Sequence, residues 1–377
     1  MPDDDLPENT APANCRVTIR DVARQTGVSV TTASRALNEI GRMTPETRNR
    51  VRAAAAELGY RPNSIARGLV GKRSFAVGLI TNDTYGRFTL PVAAGLSSSM
   101  ADRGVSVFLC AGEDDAERVK ANIDAMQDRR VDGLVIAGKR IDRGLPFELP
   151  DLGIPVIYAN ASCPPDAIGF VPDDQLNAHM AVSHLVARGC CRIAHVTGKK
   201  DFEASSLRVR GWEEALAEAN LSPFGDVCYG NWSEECGYTA ALELLAPGRA
   251  EWPDAVFCGN DQIARGLIDA ATSIGVDVPG DLAVVGFDNW EIFAKATRPP
   301  LTTVDMELLE LGRVVGRTML DLIDGKDVEP GLRRLPGRIV ERRSCGGGGA
   351  DLEPRTNETS RHGGGNQRED TKCHTTG

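Results

Sequence analysis

Apolar positions in the first sixty residues recur at helical spacing and are punctuated by glycine. Ile19, Val22 and Ala23 share one face of a helix that opens at Thr18, with Asp21 at the capping-box position, where a carboxylate also suits the N-terminal dipole. Gly27 supplies the left-handed backbone that a tight inter-helix turn requires. Ser29 caps a second helix, Val30 to Leu37, whose Ala33 and Leu37 turn inward. A third starts with Thr44 as cap and Pro45 at the first helical position, points Val51, Ala54, Ala55 and Leu58 inward, and stops at Gly59. Three such helices bury one small core. The Ala23-x-x-x-Gly27 turn reads as a helix-turn-helix, a motif whose second helix enters the major groove of DNA.

From Phe75 onward the period changes. Short β-like runs (75–80, 105–110, 133–137 and 156–159) alternate with amphipathic stretches (90–103 and 115–129). A second set follows, with strands at 192–197, 255–258 and 282–287 and helices at 174–188, 206–219, 234–245 and 262–274. Such alternation is the signature of βαβ units, and it predicts two doubly wound parallel-sheet lobes in one α/β body. The tail after Cys345 is Gly-rich and polar with no apolar period, so it is expected to be disordered, as is the opening segment. The expected organisation is an extension over 1–15, the helical head over 16–62, a hinge over 63–74, the body over 75–345 and the tail over 346–377. Within the body, lobe one is assigned about 75–172 and 302–327, and lobe two about 173–298 and 328–345.

Charge sharpens this division. The 377 residues carry a net charge of −10, yet residues 16–73 alone hold 12 Lys and Arg against 4 acids, leaving residues 74–377 at −14 once the acidic first 15 are set aside. A basic head on an acidic body is the electrostatic footprint of a nucleic-acid binder. The outward positions of the second helix carry no acid before Glu39. Arg35 suits a bidentate contact to guanine, Val30 and Thr31 offer methyl contacts to thymine, and Thr32 and Ser34 are short donors for phosphate, with Asn38 beside them. The bland alternative is a solvated polar face.

In doubly wound lobes ligands sit beyond the carboxyl ends of the strands. Those positions hold Asn82 and Asp83, Asn160, residues 198–206, Asn260 and Asp261, and Asp288 and Asn289. Recurrent Asn and Asp, with Arg208 nearby, point to a hydroxyl-rich ligand. Aromatic residues are only 5% of the chain, so Trp232 stands out: it is either a stacking wall for a sugar ring or a core residue.

Several classes are disfavoured. The five His form no metal-like pair, there is no Gly-x-Ser-x-Gly elbow, and the turn after the first strand lacks a dinucleotide-binding glycine pattern, so neither an enzyme nor a cofactor is expected. The Gly71-Lys72 pair fails as a phosphate loop because Ala66 and Arg73 occupy the required flanking positions. None of the ten Cys forms a Cys-x-x-Cys pair, and Cys110 and Cys258 lie in apolar runs, which favours reduced structural thiols. No stretch is long and apolar enough for a membrane helix and the acidic N-terminus does not resemble an export signal, so the chain is expected in the cytoplasm. That also counts against a transporter's solute-binding protein.

The residues Val17 to Ala23, Gly27-Val28-Ser29, Thr32 to Asn38, Pro45 to Arg48 and Leu58 to Asn63 together resemble the head of the lactose-repressor/galactose-repressor family of bacterial transcription regulators. Later echoes are Asp132-Gly133-Leu134, Arg208 with Gly211, Asn260-Asp261, Val285 to Asp288 and Pro300 to Val304. The resemblance implies a homodimer on a near-palindromic operator and a periplasmic-binding-protein-like body that binds a small effector, expected to be a sugar or sugar derivative, with the lobe angle controlling the spacing of the hinges. By position it implies DNA contacts from Thr18, the second-helix residues, Asn63, Ala66, Arg67 and Leu69, with Leu69 as the minor-groove wedge. It implies effector contacts from Asn82, Asp83, Phe88, Asn160, Arg208, Trp232, Asn260 and Asp288. Met306 stands where relatives often carry Gln, and no heptad helix follows Arg343, so a dimer rather than a tetramer is expected.

Overall fold

A computed structural model describes residues 17–38, 41–60, 73–83, 85–112, 115–248 and 251–346. The expected hinge contacts Asn63, Ala66, Arg67 and Leu69, and both terminal segments, lie outside the described residues. The chain divides into two units between Phe75 and Ala76.

The first unit is three helices, α1 (Ile19–Thr26), α2 (Val30–Leu37) and α3 (Pro45–Glu57). Their ends follow the expected chemistry. The Asp21 carboxylate accepts from the Thr18 backbone N–H at 2.9 Å, Ser29 Oγ accepts from the Thr32 N–H at 3.0 Å, and Gly27 has φ 67°. The core is small side chains: Val22, Ala23, Ala33, Ala36, Val51, Ala54 and Ala55 are all buried. Alanines at the crossings let three short helices approach closely enough to exclude water with so little apolar volume.

The second unit holds two six-stranded sheets. The first is built from β1 (Ala76–Thr81), β2 (Ser106–Ala111), β3 (Gly133–Ala137), β4 (Val156–Ala159), β5 (Ile168–Pro172) and β11 (Gly331–Leu335), in the order β11-β5-β4-β3-β1-β2. The second is built from β6 (Ile193–Thr197), β7 (Cys228–Tyr229), β8 (Ala255–Cys258), β9 (Ala283–Phe287), β10 (Thr302–Asp305) and β12 (Arg338–Val340), in the order β12-β10-β9-β8-β6-β7. Neighbours run parallel except for the antiparallel edge pair β10 and β12. Strands β1, β3, β5, β6, β8 and β9 are buried along their whole length, as the strands of a parallel sheet covered on both faces should be.

Around the first sheet lie α4 (Thr89–Met100), α5 (Ala116–Asp128) and α11 (Leu308–Ile323); around the second lie α6 (Asp174–Ala187), α7 (Glu203–Glu218), α8 (Glu234–Leu244), α9 (Asp261–Ser273) and the short α10 (Glu291–Ala296). Glycine makes the closest helix pairs possible. A Cβ on Gly95 would strike the Leu309 carbonyl, and one on Gly312 the Val92 carbonyl, so α4 and α11 touch backbone to backbone. Gly237 and Gly266 do the same for α8 and α9.

The lobe limits assigned to residues 302–345 need correction. Residues 302–327 do not all belong to lobe one, because β10 pairs with β9 in the second sheet and only α11 returns to the first lobe. Residues 328–345 do not all belong to lobe two, because β11 pairs with β5 in the first sheet before β12 closes the second. The connection from β9 to β10 is short, which leaves the adjacent parallel position in the same sheet as the natural seat for β10. The chain thus passes between lobes near Asp173, near Met306 and near Pro336.

Candidate functional site

On α2 the side chains of Val30, Thr31 and Arg35 are exposed, and Val30 retains 43% of its accessible surface although it is apolar. Thr32, Ser34 and Asn38 are half-buried. Two of these are already engaged: Thr32 Oγ1 lies 2.8 Å from Ser29 Oγ, and Asn38 Nδ2 donates to the Ser34 carbonyl at 2.9 Å. Thr18 is exposed, with its hydroxyl donating to Asp21 at 2.7 Å. The face therefore presents one cation, one hydroxyl and one branched apolar side chain with no acid among them, the composition that reads base edges.

In the body, a cavity of about 390 Å³ opens at the carboxyl ends of both sheets. Phe88, Asn160, Arg208, Trp232, Asn260 and Asp288 all line it, so six of the eight expected effector positions converge. Asn82 and Asp83 do not line this cavity. Asn82 Oδ1 accepts from the Lys139 N–H at 3.2 Å, and the buried Asp83 carboxylate accepts from the Phe88 and Thr89 N–H groups at 2.8 and 3.0 Å, which makes it the anchor of α4.

The strand ends that present these groups use left-handed backbone at non-glycine residues: φ is 50° at Asn160 and 101° at Asp288. Asn160 Nδ2 is held by the Gly138 carbonyl at 2.8 Å. Asn260 caps α9, its Oδ1 accepting from the Ile263 N–H at 2.8 Å while Nδ2 donates to the Trp232 carbonyl at 3.3 Å. Trp232 is half-buried, its indole lying against Gly198, where a Cβ would collide with the ring. It both lines the cavity, with the Phe202 ring 6.0 Å away, and packs against the core of the second lobe.

Charge in the floor is locked in pairs. Arg208 donates from Nε to Asp174 at 2.8 Å and from Nη1 to the Gly259 carbonyl, and its guanidinium lies 3.7 Å from the Phe287 ring centroid. Burial pushes the Asp174 carboxyl above its ordinary range, and contact with Arg208 opposes that push. Arg87 binds Asp288 and donates to Gln262 at 3.1 Å, joining the loop before α4 to the second lobe. Asp142 accepts from Arg140 Nε at 2.8 Å and from the Glu203 N–H of the second lobe at 3.3 Å; burial raises its pKa, but these donors outweigh burial and the net shift is downward. The cleft is thus bridged between lobes by ion pairs and hydrogen bonds. Just behind it the buried Asp261 carboxyl is raised to about 8, first by burial and then by Asp288. His195, fully buried and stacked 4.6 Å from Phe257, is lowered to about 4 by burial.

Sequence reasoning missed Arg87, Lys139, Arg140, Asp142, Arg143 and Asp174 in this lining. The segment 139–143 follows strand β3, so the strand-end rule applied to other turns points to it as well. Arg87 carries no local signal, since its partner Asp288 is 201 residues away. Among the described residues no three or more His, Cys, Asp or Glu are grouped to hold a metal ion, and no helix is long and apolar enough to cross a membrane.

A helix-turn-helix unit and a two-lobed body with a polar, aromatic-walled cleft, carried on one chain, define a ligand-controlled transcription regulator. Comparisons with known proteins agree with that class. The family described as "Bacterial regulatory proteins, lacI family" matches residues 18–63, and the "Periplasmic binding protein-like domain" matches residues 182–345. The chain is 32% identical to the lactose operon repressor of Escherichia coli (strain K12) over 332 residues, covering 87% of this chain and 90% of that protein. It is 31% identical to catabolite control protein A of Priestia megaterium, covering 87% and 99%. Among solved structures, the lac repressor dimer bound to operator and the anti-inducer ONPF aligns with a TM-score of 0.67 at 29% identity, covering 87% of this chain and 99% of that one. The chain belongs to the lactose-repressor family of bacterial transcription regulators. It is a sequence-specific DNA-binding regulator under effector control, not an enzyme.

Proposed function

We propose that the protein is a repressor that binds a near-palindromic operator as a homodimer, with α2 of each copy in a major groove, and that a small carbohydrate in the body's cleft sets its operator affinity. The observation that carries this reading is the convergence of Trp232 with Asn160, Arg208 and Asp288 around one cavity of about 390 Å³. An indole face covers the C–H side of a sugar ring while carboxylate and amide groups pair with its hydroxyls. Similar proteins point the same way: a ribose operon repressor from Halalkalibacterium halodurans and a CelR–cellobiose complex bear carbohydrate names. In this reading Arg35 takes a guanine edge, Thr18 and Thr32 position the head on phosphates, and Leu69 with Ala66, Arg67 and Asn63 contacts the minor groove.

The Arg87 to Asp288 link between lobes supplies a physical route for control. A ligand that reaches Asp288 alters that pair, and it shifts the closure equilibrium only by its differential affinity for the two lobe arrangements. The test is selection of duplexes from a random pool, followed by footprinting. The expected result is an inverted repeat with half-site centres about one helical turn apart. A single asymmetric half-site contradicts the homodimer, and loss of sequence preference in the wild-type protein contradicts the DNA assignment.

A further inference from the structure

The charge lining the cleft differs in sign from the rest of the body. Six cations and four carboxylates line the cavity, a surplus of two positive charges, within residues 74–377 that together carry −14. The surplus is not in the floor. There Asp174 and Asp288 balance Arg208 and Arg87, and Arg208 is held by Asp174 and the Gly259 carbonyl with Asp288 3.9 Å from its Nη2. The surplus is at the mouth. Arg143 and Lys199 are exposed there beside a single exposed carboxylate, Asp201, and neither cation forms an ion pair with a described residue. Arg140 lies between floor and mouth. Asp142 takes its Nε and Nη2, leaving Nη1, and the Phe202 ring, 3.3 Å from the guanidinium carbon, fixes the plane of the group.

A cleft with this polarity has a charge-balanced, indole-walled floor suited to hydroxyls and a cationic mouth suited to an oxyanion. Low-dielectric walls focus the field of the surplus charge toward the opening, which concentrates anions there despite the acidic body around it. We infer that the effector is an anionic polyol, a sugar acid or a sugar phosphate, whose oxyanion is held by Arg140, Arg143 and Lys199 while its hydroxyl-bearing ring lies on Trp232. This rests on the carbohydrate reading above and narrows it. A neutral sugar gains only the floor contacts, and the mouth cations then keep their water.

The experiment is a titration of the full-length protein, followed by tryptophan fluorescence and calorimetry, with matched probes: glucose, gluconate and glucose 6-phosphate; galactose and galactonate; ribose and ribose 5-phosphate; and hypoxanthine as a non-carbohydrate. In at least one set the anionic member should bind about tenfold or more tightly than its neutral counterpart, equivalent to about 1.4 kcal/mol. The carboxylate and phosphate arms tell which oxyanion is preferred. The advantage should shrink with added salt and fall toward unity in the Arg143→Gln, Lys199→Gln double variant, whose fold is checked by circular dichroism. Neutral sugars binding as tightly as their anions overturn the inference and leave the carbohydrate reading intact. An anion preference unchanged by the double variant overturns the assignment to the mouth. Binding of hypoxanthine alone, or of no probe, removes both readings.

Discussion

The head and the cleft solve the problem of presenting polar chemistry in opposite ways. The head keeps its functional side chains outside a core of alanines and valines, so Arg35 and Thr31 face solvent and no ionised group is buried with them. The cleft buries its charges, with the Arg208 and Asp174 side chains only 7% and 3% exposed, and holds them with partners drawn from distant parts of the chain. A solvated reading face tolerates substitution and loses recognition. A buried ion pair does not, because removing one member leaves the other uncompensated.

The largest effect should therefore come from the cleft. Asp174→Ala leaves Arg208 buried without its main counter-charge and should cost about 3–5 kcal/mol in a urea melt of the body. Adding Arg208→Met should recover much of that loss. A single variant as stable as wild type means that the pair is not a buried charge couple.

Next in size is a pH effect confined to the second lobe. His195 titrates near 4 when folded against an ordinary 6.5, so the unfolded chain binds more protons between those values. Its contribution is present above pH 6.5 and is lost as pH falls through about 4, amounting to about 3 kcal/mol by linkage. In wild type minus His195→Gln comparisons the difference should appear only over that window, and a flat difference contradicts the burial assigned to the ring.

The head should show smaller and more local changes. Arg35→Ala should weaken operator binding by about 1–3 kcal/mol and relax the choice of base at one position of each half-site, read by competition against single-base variants. Ser29→Ala removes the cap on the Thr32 N–H and should cost the head about 1 kcal/mol while leaving the body's melting transition in place. A body transition that moves with Ser29 would erase the contrast between the regions.

The same contrast explains which features the sequence makes legible. The head is read almost whole because caps, glycine turns and inward positions are local: Gly27, Ser29, Thr44 and Pro45 each act within four residues of themselves. The buried strands are legible as apolar runs, the rule of strand carboxyl ends locates Asn160, Asn260 and Asp288, and the scarcity of aromatics singles out Trp232. The last segment is misread because lobe membership of β10 and β11 depends on which sheet edge is open, a property of the assembled body rather than of Thr302–Asp305 or Gly331–Leu335 themselves. Asp83 illustrates the same limit: its position beyond β1 suggests a ligand contact, yet its carboxylate is consumed by two backbone N–H groups of α4. The cation at Arg87 finds its meaning only through Asp288 and Gln262, which no local pattern connects to it.

The central claim is that occupancy of the cleft changes the grip of the head on DNA. The most direct measurement is fluorescence anisotropy of the full-length protein on its selected operator at fixed ionic strength, with and without a saturating concentration of the tightest-binding sugar or sugar anion. The operator Kd should change by about fivefold or more, in either direction, and Asp288→Ala should abolish the change. An operator Kd that is the same at every concentration of a ligand shown to bind the cleft contradicts the account.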